Sequence, residues 1–163
     1  MTVFLIFLGS LLTLASIVMT YRSSRWSAAA AFGGLLAFGL SGIAPMGLDV
    51  FIFWGVATLI VLGLNALLPR SVTSSRAGMG YVAGGTLVGL VVGLIMSEAA
   101  MILGAILGAI AGGIAFSRTP AGTVVEFPSD KFINYLCAKG FPAVVTLCQG
   151  GVVAVQAITY ASI

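Results

Sequence analysis

Few side chains in this sequence are suited to chemistry. The 163 residues hold four carboxylates, seven lysines and arginines, two cysteines and no histidine. Acid–base catalysis needs a group that titrates near its working pH, and nucleophilic catalysis needs a base beside the nucleophile. Neither arrangement is visible, and no two carboxylates are spaced as a catalytic pair. Cys137 and Cys148 form no CxxC motif, and no histidine is present to complete a zinc site. The expectation is two free thiols, no catalytic residue, no metal site, no cofactor and no enzyme.

Hydrogen bonding within an apolar chain is what remains. Gln149 and Gln156 are seven residues apart, so they share one helix face, with Tyr160 a turn beyond. They suit either a solute path or bonds to neighbouring helices and partner subunits, and Asn65 in "VLGLNALLP" is open to the same readings or, within a turn of the cytoplasmic end, to contact with headgroups. A cross-helix bond from such an amide is worth roughly 1 kcal/mol in a membrane. Asp49 and Glu98 read as solvated turn residues, with cation or proton binding at an outer mouth as the functional alternative.

The elements that position these groups follow from composition. The chain is 60% hydrophobic and 7% charged, with mean hydropathy +1.20. Soluble domains carry about 25% charged residues. A chain this short cannot bury so much apolar surface in a water-facing fold. Its solvent, and first partner, is the lipid bilayer. The net charge of +3 comes from scattered basic residues with no run of them, so nucleic acid is not expected.

Apolar runs predict a single all-α transmembrane domain over 1–163: a polytopic helical bundle of about six spans, each near the ~20 residues that a bilayer requires. They fall at Thr2–Thr20, Ser27–Ile43, Leu48–Leu68, Gly80–Ser97, Ala99–Ser117 and Phe141–Tyr160. The first run lacks a basic segment before it, which favours a retained helix over a cleaved signal. "FINYLCAKGFPAV" reads as a short interfacial helix broken by Gly140 and Pro142. For 132–163 the alternative to a sixth span is a segment lying at the surface. Trp26, Trp54 and Tyr81 read as interfacial anchors.

Charge orients the spans. The links after spans one and three carry Arg22, Arg25, Arg70 and Arg76, and loop 118–140 carries Arg118, Lys131 and Lys139. The other two links carry only Asp49 and Glu98. The positive-inside rule makes the basic side cytoplasmic and puts both termini outside, in a bacterial inner membrane. Ser24 and Ser74 are then shielded from outside, and Gly47 and Ala99 are open to it. The loop "SRTPAGTVVEFPSDKFINYL" is the first choice for a cytoplasmic contact surface.

Glycine gives the strongest pattern. Gly85, Gly89 and Gly93 are spaced by four, as are Gly104, Gly108 and Gly112. Gly85 mirrors Gly112, Gly89 mirrors Gly108 and Gly93 mirrors Gly104 about a point between Glu98 and Ala99, and Gly84 mirrors Gly113 likewise. This predicts a tight glycine-zipper hairpin of the fourth and fifth spans with its tip at Glu98–Ala99. Small residues let membrane helices approach closely where no escape from water drives them together. Rotor-ring subunits of ATP synthases also use glycine-rich helices, but they need a mid-membrane carboxylate, and the acids here fall at span ends.

"AGMGYVAGGTLVGLVVGLI" followed by "MILGAILGAIAGGIAFSRTPAG" resembles a bacterial family of small membrane proteins of unknown function with glycine-zipper hairpins. The resemblance covers roughly Leu48 to Gly122. The family's proline-rich turn is replaced here by "IAPMG". The resemblance implies a fold and no activity. The leading functional expectation is a structural, assembly or accessory subunit, forming a homo-oligomer or joining other membrane subunits. The alternative is a small transporter or oligomeric channel.

Overall fold

A computed structural model describes residues 1–23, 25–73 and 75–161. Ser24 and Ser74 lie outside the described residues. Those described form helices and links, with no strand among them: α1 (Thr2–Tyr21), α2 (Ser27–Leu40), α3 (Leu48–Leu67), the single turn α4 (Arg70–Thr73), α5 (Met79–Leu94), α6 (Glu98–Ser117), α7 (Asp130–Tyr135) and α8 (Phe141–Ala161). A 3-10 segment, Pro120–Val125, follows α6, and a π-helical turn, Leu136–Gly140, joins α7 to α8.

Among the described residues, four stretches are long and apolar enough to cross a membrane: Thr2–Tyr21, Leu48–Leu67, Glu98–Ser117 and Asp130–Tyr160. α2 and α5 are apolar but have only 14 and 16 residues. At 1.5 Å per residue they reach about 21 and 24 Å, short of a hydrocarbon core of about 30 Å. Both end earlier than the sequence predicts. After α2, the Ser41 hydroxyl donates to the Phe38 carbonyl at 2.6 Å, and Gly42 turns the chain with φ 75°, a left-handed conformation that suits glycine. After α5, Ser97 is extended, and its hydroxyl accepts the Ala100 N–H at 3.1 Å. Ser97 thus caps α6 instead of closing the preceding helix. The hairpin tip is Ile95–Ser97, ahead of the expected Glu98–Ala99.

That earlier tip sets the register of α5 and α6. A Cβ on Gly89 would strike the Gly104 carbonyl and lie 3.2 Å from the Gly108 Cα. One on Gly85 would strike the Gly108 carbonyl and lie 3.1 Å from the Gly112 Cα. Gly93 faces the backbone of Ala100 and Met101, Gly104 faces Gly89 and Gly93, and Gly112 faces Tyr81 and Val82. Each of Gly85 and Gly89 therefore sits between two counterparts, where the sequence pairs them one to one. The outer pair departs from the mirror pattern. Gly84 is exposed with nothing near its Cβ position, whereas Gly113 packs on Phe132 and Leu136. Each lies next in sequence to a contact glycine, hence about 100° around its helix and off the shared face.

α1 and α2 form the other hairpin, on a pattern not singled out from the sequence. The buried face of α1 is Gly9, Thr13, Ser16 and Thr20. Thr13, Ser16 and Thr20 donate to carbonyls of their own helix, at 2.8, 2.6 and 2.9 Å. With their hydroxyls satisfied locally, these residues pack as small apolar ones. A Cβ on Gly34 would lie 2.6 Å from the Thr13 hydroxyl and 3.0 Å from the Gly9 carbonyl.

α8 occupies the centre, against α1, α2, α3, α5 and α6. In the most apolar 18-residue window of Asp130–Tyr160, 50% of residues are buried, against 17% in α1. The expected break at Gly140 and Pro142 is absent, because helical structure runs from Asp130 to Ala161. A proline ring in a regular helix clashes with the carbonyl four residues earlier. The wider π-helical turn immediately before Pro142 relieves that clash without ending the helix. Trp54 also departs from its expected place. It is buried in the core, edge-on to Phe53 at 5.1 Å, while Trp26 and Tyr81 are exposed.

Candidate functional site

α8 carries Gln149 into the interior, where it is fully buried. Its Nε2 donates to the Thr58 hydroxyl at 2.9 Å and the Trp54 carbonyl at 3.4 Å, both on α3. A backbone carbonyl only accepts, so this contact fixes which end of the amide is the nitrogen. The Oε1 is then left buried without a partner, and so is the Thr146 hydroxyl one turn earlier. Thr13, Thr20, Thr58, Thr86 and Thr159 all donate to the carbonyl four residues back. Thr146 does not. An unspent carbonyl acceptor and an unspent hydroxyl therefore sit on neighbouring turns of the most enclosed helix, where leaving a polar group unpaired is costly.

Two turns beyond Gln149, Gln156 lines a cavity of about 580 Å³. Its walls include Asp49, Glu98, Met46, Trp54 and Met101. The structure thus brings the two isolated acids to one cavity, with one of the glutamines. Each acid also lies in the first turn of a helix, α3 or α6, where the helix dipole favours a negative charge. Carboxylates, an amide and an aromatic wall together form a vestibule suited to a small cation or a hydrogen-bond donor. Trp54 joins it to the interior: the residue lines the cavity, and its carbonyl accepts from Gln149.

The other end of α8 is closed. Asn65 is buried there and lines a void of about 10 Å³ with Thr20, Ser23, Arg25, Thr73 and Lys139. Lys139 is only 2% exposed. Sequence reasoning placed it in the cytoplasmic loop 118–140, on a short interfacial helix, as one more marker of orientation. The available signal was its setting in "LCAKGFPAV", with apolar residues on both sides. Tyr135 stacks on Phe116 at 5.5 Å and donates to the Ala77 carbonyl at 3.0 Å, fastening α7 beneath this end. Of the two thiols, Cys148 is buried and Cys137 half-buried, both free.

The fold defines the class: among the described residues the structure is helical, with four helices long and apolar enough to cross a membrane. No protein-family model, curated protein or solved structure matches the chain.

Proposed function

We propose that this chain is a non-catalytic membrane protein that admits a small polar or cationic solute from its acidic end. α2 and α5 complete six crossings, each as the short arm of a hairpin, which a locally thinned bilayer accommodates. The basic links face the cytoplasm of a bacterial inner membrane, and both termini lie outside. The observation that carries the reading is the cavity holding Asp49, Glu98 and Gln156, with Gln149 bonded to its Trp54 wall. The test is flux in proteoliposomes with potassium, sodium and methylammonium as probes. Wild type should pass at least one, and Gln156→Leu should slow it about tenfold, the scale of one lost polar contact near 1.4 kcal/mol. A folded wild type that passes none overturns the reading.

A second reading is favoured by a different feature. The α5–α6 hairpin leaves an outward apolar groove of about 690 Å³, floored by its glycines and flanked by Val88, Leu103 and Leu107. Here the glycine zipper, and the family resemblance that rests on it, serves an assembly subunit that self-associates or joins other membrane subunits. Cysteines at Val88 and Leu107 that crosslink between chains would favour it.

A further inference from the structure

The Lys139 ammonium donates to the Ser23 hydroxyl at 2.8 Å, to the Thr73 carbonyl at 3.3 Å and to the Ser75 carbonyl. These acceptors lie in two separate parts of the chain: the α1–α2 link, and the segment between α3 and α5. Lys139 itself stands on the π-helical turn that leads into α8. One cation thus ties three segments at one end of the bundle. Secondary bonds follow the same seam, from the Ser23 hydroxyl to the Ser75 carbonyl at 3.0 Å and from Arg25 to the Thr73 hydroxyl at 3.4 Å.

The chemistry of this fastening is unusual. All four carboxylates of the chain lie elsewhere: Asp49 and Glu98 line the cavity at the opposite end, and Glu126 and Asp130 stand beside Lys131. Lys139 is therefore held by neutral oxygens alone among the described residues. A desolvated charge without a counter-ion is a poor device for static stability, since a well-packed apolar residue is generally as good or better. It suits a contact that must release. When the links part, water rehydrates the ammonium and recovers much of what the hydrogen bonds supplied. The void that Lys139 lines with Ser23 and Thr73 holds about 10 Å³, against about 580 Å³ in the cavity at the acidic end.

We infer that Lys139 is a gate: its three hydrogen bonds hold the basic end shut, in a state open only at the acidic end. This rests on the solute-path reading above.

The test uses the full chain in nanodiscs, with Cys137→Ser and Cys148→Ala as background and a hydrophilic maleimide as probe. Asn65→Cys reports the basic end and Gln156→Cys the acidic end. Asn65→Cys should label slowly, and adding Lys139→Ala should speed it about tenfold or more with Gln156→Cys unchanged. An unchanged rate at position 65 overturns the gate, as does equal acceleration at both positions, which marks Lys139 as a general anchor. If Lys139→Ala fails to fold, Ser23→Gly decides. Ser23 has φ 55°, which glycine accepts, so this change removes one acceptor without backbone strain. A rise of about threefold at position 65 supports the gate, and no rise overturns it. Labelling needs no transported solute, so a gate that opens in a protein without flux defeats the path reading alone.

Discussion

At the scale of single residues, the interior polar groups separate packing from function. The Thr58 hydroxyl accepts from the Gln149 amide nitrogen, whereas the Gln149 Oε1 and the Thr146 hydroxyl have no partner. Thr146→Val replaces an unpaired hydroxyl by a methyl of similar shape, so it should raise stability by up to about 1 kcal/mol in detergent unfolding. Thr58→Ala leaves Gln149 short of a partner and should lose about 0.6–1 kcal/mol. Gln149→Leu with Thr58→Val removes both ends of the bond and should leave stability nearly unchanged. Flux that survives this pair would show that the amide only packs helices. The sequence revealed the face shared by Gln149 and Gln156 through their spacing. It did not reveal Lys139 as an interior residue. Burial of a lysine depends on acceptors more than sixty positions away in the chain, and no local pattern announces them.

At the scale of elements, the sequence was most legible where the backbone itself makes the contact. At Gly85, Gly89, Gly104 and Gly108, whose spacing the sequence shows, an added Cβ would strike a carbonyl of the facing helix. The sequence pattern misplaced the hairpin tip, because Ser97 serves equally well as the end of one helix or the cap of the next. It passed over the α1–α2 contact, because Thr13, Ser16 and Thr20 read as polar until their hydroxyls are seen bonded within the helix. Adjacent glycines now carry opposite expectations. Gly84→Ala meets open space and should gain a few tenths to about 1 kcal/mol of helix propensity. Gly85→Ala and Gly89→Leu drive atoms into the Gly108 and Gly104 carbonyls and should lose about 1–3 kcal/mol each. Gly108→Leu should behave alike, and the Gly89→Leu, Gly108→Leu double variant should fall short of the sum, since the first leucine already parts the helices. A Cβ at Gly63 meets nothing within 4 Å, so Gly63→Leu is the control. Thermal unfolding of the series in one detergent checks all of these. Equal losses at Gly84 and Gly85 would refute the face assignment.

At the scale of the whole molecule, the charges divide the bundle into two ends of different character. Asp49 and Glu98 share the open cavity, while Lys139, Arg25 and Asn65 meet at the closed end. A cation approaching the acidic end meets a favourable field before it reaches the bundle, and one approaching the basic end does not. The orientation proposed above, which rests on the positive-inside rule, would put the closed end in the cytoplasm. Ala99 lines the cavity and is exposed, and Ala121 is exposed on the segment after α6 at the other end, so cysteines at these two places report the two sides. In the background lacking Cys137 and Cys148, Ala99→Cys should react with an impermeant thiol reagent added to intact cells. Ala121→Cys should react only after the membrane is opened. Reversed labelling would invert the orientation and turn the acidic cavity toward the cytoplasm. Labelling of both positions in intact cells would mean that the two ends do not lie on opposite sides of the membrane. The solute-path reading would then have no membrane to cross.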